Sequence, residues 1–235
     1  MKYLIVNGDD FGQAPGVTAG ILEAHANGIL TSTSLLVDTP FSEAAAVAAR
    51  SLRDLSLGLH FCLTDDRERV VVDLDDRRTC RAELRRQFVR FVELVSAPPT
   101  HLDSHHNVHR DPRVTPIFLQ LAEEHRLPLR EHSAARYFSA FYGQWDGETH
   151  LEQVSVDMLE RMLRSAVHDG VTELSCHPGR VDEHLSSFYA VERETELSTL
   201  CAQSIRDVLD ELEIVLIGFK QLAGVSASAV PERAR

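Results

Sequence analysis

Residues 3–12 read Tyr-Leu-Ile-Val-Asn-Gly-Asp-Asp-Phe-Gly, an apolar run closed by two adjacent carboxylates, Asp9 and Asp10. Four apolar residues bounded by polar ones predict a short buried strand at 3–7. Adjacent carboxylates at its C-terminal end repel each other unless a cation or a shared proton relieves them. Three further apolar runs end alike, in Leu59-His60, in His101-Leu102-Asp103-Ser104-His105 and in Cys176-His177. Strands that each deliver an acid or an imidazole from their C-terminal ends describe a metal-dependent active site on an α/β scaffold.

Working outward, strands are expected at 33–38, 57–62, 101–104, 128–131, 172–176 and 213–217. Helical patterns fall between them. In 15–27, Val17, Ile21 and Ala24 recur at helical spacing, with Pro15 suited to the first turn and Gly28 to the C-cap. In 156–167, Val156, Leu159, Leu163 and Ala166 form one stripe behind Ser155 as N-cap. A third pattern, 195–212, carries Leu197, Leu200, Val208 and Leu212, and further helices are expected at 41–52, 82–95 and 113–126. About seven alternations of strand and helix imply a parallel sheet. No glycine-rich turn follows the first strand, so a dinucleotide fold lacks its main signature. The expected fold is α/β, a single (β/α) barrel of about seven parallel strands over residues 1–222, followed by a tail at 223–235.

The 235 residues are compatible with an undivided barrel. A formal net charge of −12 argues against a nucleic-acid or anionic-membrane surface. Cys62, Cys80, Cys176 and Cys201 show no CxxC spacing, which argues against a thiolate zinc site or a redox pair, and four free thiols fit a reducing cytoplasm. Neither a secretion signal nor an 18-residue apolar run is seen, so a soluble cytoplasmic protein is expected. A homo-oligomer remains compatible with this composition. Two segments break the alternation. Residues 64–81 are dense in Asp and Arg, and 132–150 carry Tyr137, Phe138, Phe141, Tyr142 and Trp145. Both follow strands, so in a barrel both hang over the catalytic face. The first reads as a solvated loop; the second is either a sugar-stacking surface or a loop held by its own aromatic cluster.

The chemistry concentrates in few residues. Of Asp9 and Asp10, one can bind a cation while the other activates water beside it. His60 supplies an imidazole from the third strand. The nine residues from His101 to His109 hold four histidines and Asp103, and an extended segment places His105, Asn107 and His109 on one face. Two imidazoles and a carboxylate with open positions form a common hydrolytic metal site. His177, in Cys176-His177-Pro178-Gly179, sits on a tight turn at the barrel mouth, where an acid can protonate a leaving group. Arg130 can orient Asp9, contact substrate or form a rim ion pair.

The segments NGDDFG, GILTSTSLLV, GLHFCLT, THLDSHHNVHR and ELSCHPGRVD resemble, in order, those of the YdjC-like carbohydrate deacetylases, the chitooligosaccharide deacetylase group. The resemblance runs to about residue 222. It implies a (β/α) barrel and divalent-metal-dependent removal of acetyl groups from small N-acetylated saccharides. It also implies Asp10, His60 and His105 as metal ligands, Asp9 as base and His177 as acid. Asp103, His109 and Arg130 are assigned substrate-binding or supporting roles. The family's histidine segment often reads HxHxH, and here Asn107 takes the middle position. Resemblance suggests Mg²⁺, whereas two imidazoles suit Zn²⁺, Mn²⁺ or Co²⁺ better. The alternatives are a phosphoesterase on the same ligands and a non-catalytic carbohydrate-binding barrel. The first lacks a glycine-rich phosphate loop with a lysine, the chain having only Lys2 and Lys220; the second is disfavoured by the presence of both Asp9 and His177.

Overall fold

The structure, a computed structural model, describes residues 1–64 and 69–228. Its strands are β1 (Lys2–Phe11), β2 (Ser32–Leu35), β3 (Ser56–Phe61), β4 (Leu102–Ser104), β5 (Ala135–Phe138), β6 (Gln144–Trp145), β7 (Glu148–Thr149), β8 (Gly170–Cys176) and β9 (Ile214–Leu216). The α-helices are α1 (Pro15–Asn27), α2 (Ser42–Ala49), α3 (Arg77–Val95), α4 (Thr115–His125), α5 (Val156–Ala166), α6 (Val191–Leu200), α7 (Gln203–Glu211) and α8 (Leu222–Ser228). The main sheet runs β4-β3-β2-β1-β8-β5, all parallel. One edge of β1 is shared: β9 pairs with Lys2–Leu4 and β2 with Asn7–Phe11. Helices cover the outside, and the sheet curls into an incomplete (β/α) barrel. Among the described residues no pairing closes β5 onto the far side.

The opening has a local cause. The expected strand at 128–131 is reduced to one parallel bridge, Leu102 with Leu129. Pro128 has no N–H for a ladder, and Glu131 at φ 64° turns the chain away. The segment 132–150, expected as a loop, instead contributes β5 and the β6–β7 hairpin. That hairpin turns at Asp146-Gly147, both at positive φ, the backbone a two-residue turn requires. The helix expected over 195–212 breaks into α6 and α7 at an extended Ala202 (φ −67°, ψ 132°). Of the segment 64–81, residues 65–68 lie outside the described residues, and α3 begins already at Arg77 because Asp76 accepts N–H bonds from Arg78 and Thr79. The tail expected from 223 opens as α8; residues 229–235 lie outside the described residues.

Each strand has two buried faces of different character. Toward the helices, Leu4, Val6, Leu59, Phe61 and Leu174 join the main apolar core. There Phe61 meets Phe118 of α4 edge-to-face at 5.4 Å. Toward the barrel interior, a small apolar cluster holds Ile5, Val171, Ile217 and Phe219. Further along the same inward face come Asn7, Asp9, Glu173 and Ser175, as two-residue alternation dictates.

Candidate active site

Regular alternation would send Asp9 and Asp10 to opposite faces. It fails here because the β1–β2 register slips between Gly8 and Phe11: Gly8 is opposite Thr33, but Phe11 is opposite Leu35. The extra residue is a β-bulge, with Asp10 at φ 67°. Both neighbouring carboxylates therefore serve one site.

Asp10 takes the half of the site nearest the histidine strands. Its Oδ1 lies 2.9 Å from Nδ1 of His105 and 3.3 Å from Nε2 of His60. The three side chains offer donor atoms within 4.8 Å of one another. Among the described residues, no donor meets buried Oδ1 of Asp10 with hydrogen-bond geometry. Its other oxygen accepts from Arg193 at 2.7 Å. His60 and Asp103 are opposite each other on β3 and β4, so Nδ1 of His60 binds Asp103 at 2.8 Å and Nε2 is left to face Asp10. A carboxylate behind a ligating imidazole is the usual support of a metal-bound histidine. One orphaned carboxylate oxygen and two imidazole nitrogens fit a divalent ion. Burial raises the Asp10 pKa, but His105 and Arg193 overcome it and hold the carboxyl well below the usual range. Burial opposes a proton on His60, yet Asp103 and Asp10 push its pKa up to about 10. A cation held at Nε2 would compete with that proton.

Asp9 occupies the other half. Arg130 grips it with both terminal nitrogens, at 2.7 and 2.8 Å, and donates through Nε to Glu173 at 2.7 Å. Asp103 lies 3.0 Å from the same guanidinium. Burial raises the Asp9 pKa, and the Arg130 charge and hydrogen bonds more than reverse it, so Asp9 is held ionised below the ordinary value. Asp9, His60 and Asp103 also cluster within metal-binding range, but Arg130 already occupies the two carboxylates. Tyr137 covers Arg130 at 4.9 Å, its hydroxyl tied to Ser175 at 2.9 Å. Arg130 is 1% exposed and does not line the cavity, so it reaches the site through the side chains it holds, Asp9 directly and His60 by way of Asp103.

His177 closes the site opposite Asp9, its Nε2 3.9 Å from Oδ2 of Asp9. Burial pulls its pKa down to about 4, with Asp9 only partly offsetting it. The turn after His177 lies flat on α1 because Gly16 and Gly20 leave room: a Cβ on Gly20 would sit 2.5 Å from Gly179 Cα. The cavity, about 270 Å³, is lined by Asp9, Asp10, His60, His105 and His177 and rimmed by aromatic rings. Tyr142 stacks on Tyr189 at 4.7 Å, and Phe188 is 74% exposed beside them.

Asp9, Asp10, His60, His105 and His177 thus share one cavity. Asp103 and Arg130 lie directly behind it. His109 does not line it: its imidazole is fully buried between Ser104 (2.7 Å) and Glu131 (3.3 Å). Residues 105–110 form a 3-10 turn rather than an extended run, with His106 and Asn107 at positive φ. This brings His106, not His109, to the cavity wall. Sequence reasoning missed Glu173, Tyr189, Arg193 and Glu196. Glu173 left a signal, a carboxylate in the middle of a strand of a parallel sheet covered on both faces. Arg193 and Glu196 left none, because a charged helix turn ordinarily faces solvent.

Residues 3–211 match the family model of YdjC-like proteins. A carbohydrate deacetylase of Geobacillus stearothermophilus is 36% identical, covering 94% of this chain and 98% of its own length. A chitooligosaccharide deacetylase of Serratia marcescens is 32% identical over 94% and 99%. Among solved structures, an Enterococcus faecalis protein assigned provisionally to cellobiose-phosphate cleavage superposes with a TM-score of 0.77 at 27% identity, covering 94% of this chain and 98% of that one. A peptidoglycan deacetylase of Bacillus subtilis, 14% identical, shares the fold at a TM-score of 0.57, over 97% of this chain and 92% of that one.

Proposed function

The chain belongs to the YdjC-like protein family, and from that premise we propose that it is a divalent-metal-dependent deacetylase of N-acetylated sugars, short chitooligosaccharides among them. The observation that carries this reading is the division of two neighbouring carboxylates. Asp10 offers a bare oxygen beside two imidazoles, while Asp9 is held ionised by Arg130 within 3.9 Å of His177.

Asp10, His60 and His105 would hold the ion, and their nitrogen-rich donor set favours Zn²⁺, Mn²⁺ or Co²⁺ over Mg²⁺. When bound, such an ion polarises the acetyl carbonyl and lowers the pKa of water. Asp9 takes the proton of the attacking water through Oδ2, the oxygen nearer His177. Arg130 keeps Asp9 in the basic form before the step and steadies its orientation throughout. Neutral His177 receives that proton and passes it to the amide nitrogen as the carbon–nitrogen bond breaks, so acetate and a free amine leave. Tyr142, Tyr189 and Phe188 at the rim offer ring faces to the apolar C–H face of a pyranose. Four free thiols fit a reducing cytoplasm as the place of action.

The test is acetate release from di-N-acetylchitobiose by metal-stripped protein, with Zn²⁺, Mn²⁺, Co²⁺ or Mg²⁺ added back. Metal-restored acetate release is expected. Release of phosphate from generic esters, with no acetate from any acetylated sugar, would replace this reading with a phosphoesterase.

A further inference from the structure

Among the described residues, the ring of His177 makes no hydrogen bond of its own. Its Nδ1 is buried without a partner, and the nearest carboxylate oxygen, on Glu196, is 3.9 Å away. Its aim at Asp9 is therefore inherited from its backbone and from the Tyr142 and Tyr189 rings it meets edge-on. That backbone is held from one helix. On α6, Arg193 donates to the His177 carbonyl at 3.4 Å and through Nε to the Tyr189 carbonyl at 3.0 Å. One turn later, Glu196 accepts the His177 N–H and the Tyr189 hydroxyl. The Gly179 N–H donates back to the Arg193 carbonyl at 3.1 Å.

The far end of the same guanidinium binds Asp10 Oδ2 at 2.7 Å and Gln13 Oε1 at 2.9 Å, and Arg193 is only 2% exposed. A guanidinium is a rigid planar fork, so its contacts cannot shift independently. We propose that Arg193 is a positioning residue that couples the ion held by Asp10 to the placement of His177. Ion binding at Oδ1 fixes the Asp10 carboxylate. The carboxylate fixes Arg193, and Arg193 fixes the two carbonyls that bracket residues 177–189. Because Oδ2 is taken by Arg193, Oδ1 is the oxygen of Asp10 that would be left to hold the ion.

This inference rests on the metal-dependent reading above, so its test measures the metal and the loop separately. Zn²⁺ is titrated calorimetrically into metal-stripped wild type, Arg193→Gln and Arg193→Lys, and amide exchange of peptides covering 177–190 is followed with and without saturating Zn²⁺. In wild type, Zn²⁺ slows exchange across 177–190. Arg193→Gln keeps Zn²⁺ affinity within about tenfold, the lower end of the effect of removing a partner of a metal ligand, but loses the Zn²⁺-dependent slowing. Its kcat on di-N-acetylchitobiose falls about 100-fold, as misplacement of a reacting group does, with KM little changed. Arg193→Lys keeps the charge but not the fork. It binds Zn²⁺ and likewise shows no slowing, which preserves the test where the Gln variant fails to fold. Zn²⁺-dependent slowing of wild-type size in either variant would overturn the coupling alone. No Zn²⁺ binding by wild type would overturn the metal-dependent reading and the coupling with it.

Discussion

Toward their C-terminal ends, the two faces of the same strands are equally buried and chemically opposite. On β3, Leu59 and Phe61 point toward the helices and are fully buried; His60, between them, points into the barrel and is 1% exposed. On β8, Leu174 faces the helices, and Glu173 faces inward beside Arg130. Burial therefore does not tell the faces apart; partners do. The helix-facing side is held by apolar area and close packing. The inner side is held by an ion network that gives little net stability, since desolvation offsets most of the attraction. Several buried polar atoms left without a partner, on Asn7, Asp10, Glu173 and His177, belong to the inner side or its mouth. Under the proposed function, such under-satisfied polar groups are the ones an ion and a substrate would satisfy.

The largest contrast is expected from paired substitutions, one on each face. His105→Ala should abolish bound metal and acetate release together while the apo-protein remains folded, read by metal analysis and circular dichroism. Normal metal content in that variant would remove His105 from the ligand set. Phe61→Ala should do the reverse, costing about 3–5 kcal/mol in urea unfolding while the folded fraction still binds metal. A loss of metal affinity there would mean the two faces are not separable.

A smaller effect sharpens the comparison. His101 and His109 are buried imidazoles held down to about 4 by burial, against an ordinary value of 6.5. The unfolded chain takes up these protons near pH 6.5, and the folded chain resists until about pH 4. Stability should thus be lost as pH falls from about 6.5 to about 4 and level off with respect to these groups below it. Urea midpoints of the apo-protein across that range measure the slope, which His101→Phe should flatten. An unchanged slope in that variant would take His101 out of the account.

Much of this was legible in the sequence, for physical reasons that can be named. Asp9, Asp10, His60 and His177 stand at strand ends, where a parallel barrel gathers side chains at one mouth. The helix stripes of α1 and α5 show because their apolar spacing matches the burial the fold imposes. The breaks had other causes. Asp146-Gly147 is a hairpin turn signal hidden between strands of only two residues. The strand expected at 128–131 fails through Pro128 and the turn at Glu131, effects of two residues on one ladder. Arg193 and Glu196 were unreadable because nothing local distinguishes a buried charged turn from a solvated one. Their partners, Asp10 and His177, are remote in sequence.

A one-residue bulge brings two neighbouring carboxylates to one site, and under the proposed function it divides them between two tasks. That division is tested most directly by measuring bound Zn²⁺ and acetate release side by side for Asp9→Asn and Asp10→Asn. The account predicts that Asp9→Asn keeps its metal and loses about 10²–10⁴ in kcat, the span of general-base catalysis, whereas Asp10→Asn loses metal and turnover together. Equal loss of metal in both variants, or full activity in Asp9→Asn, would contradict it.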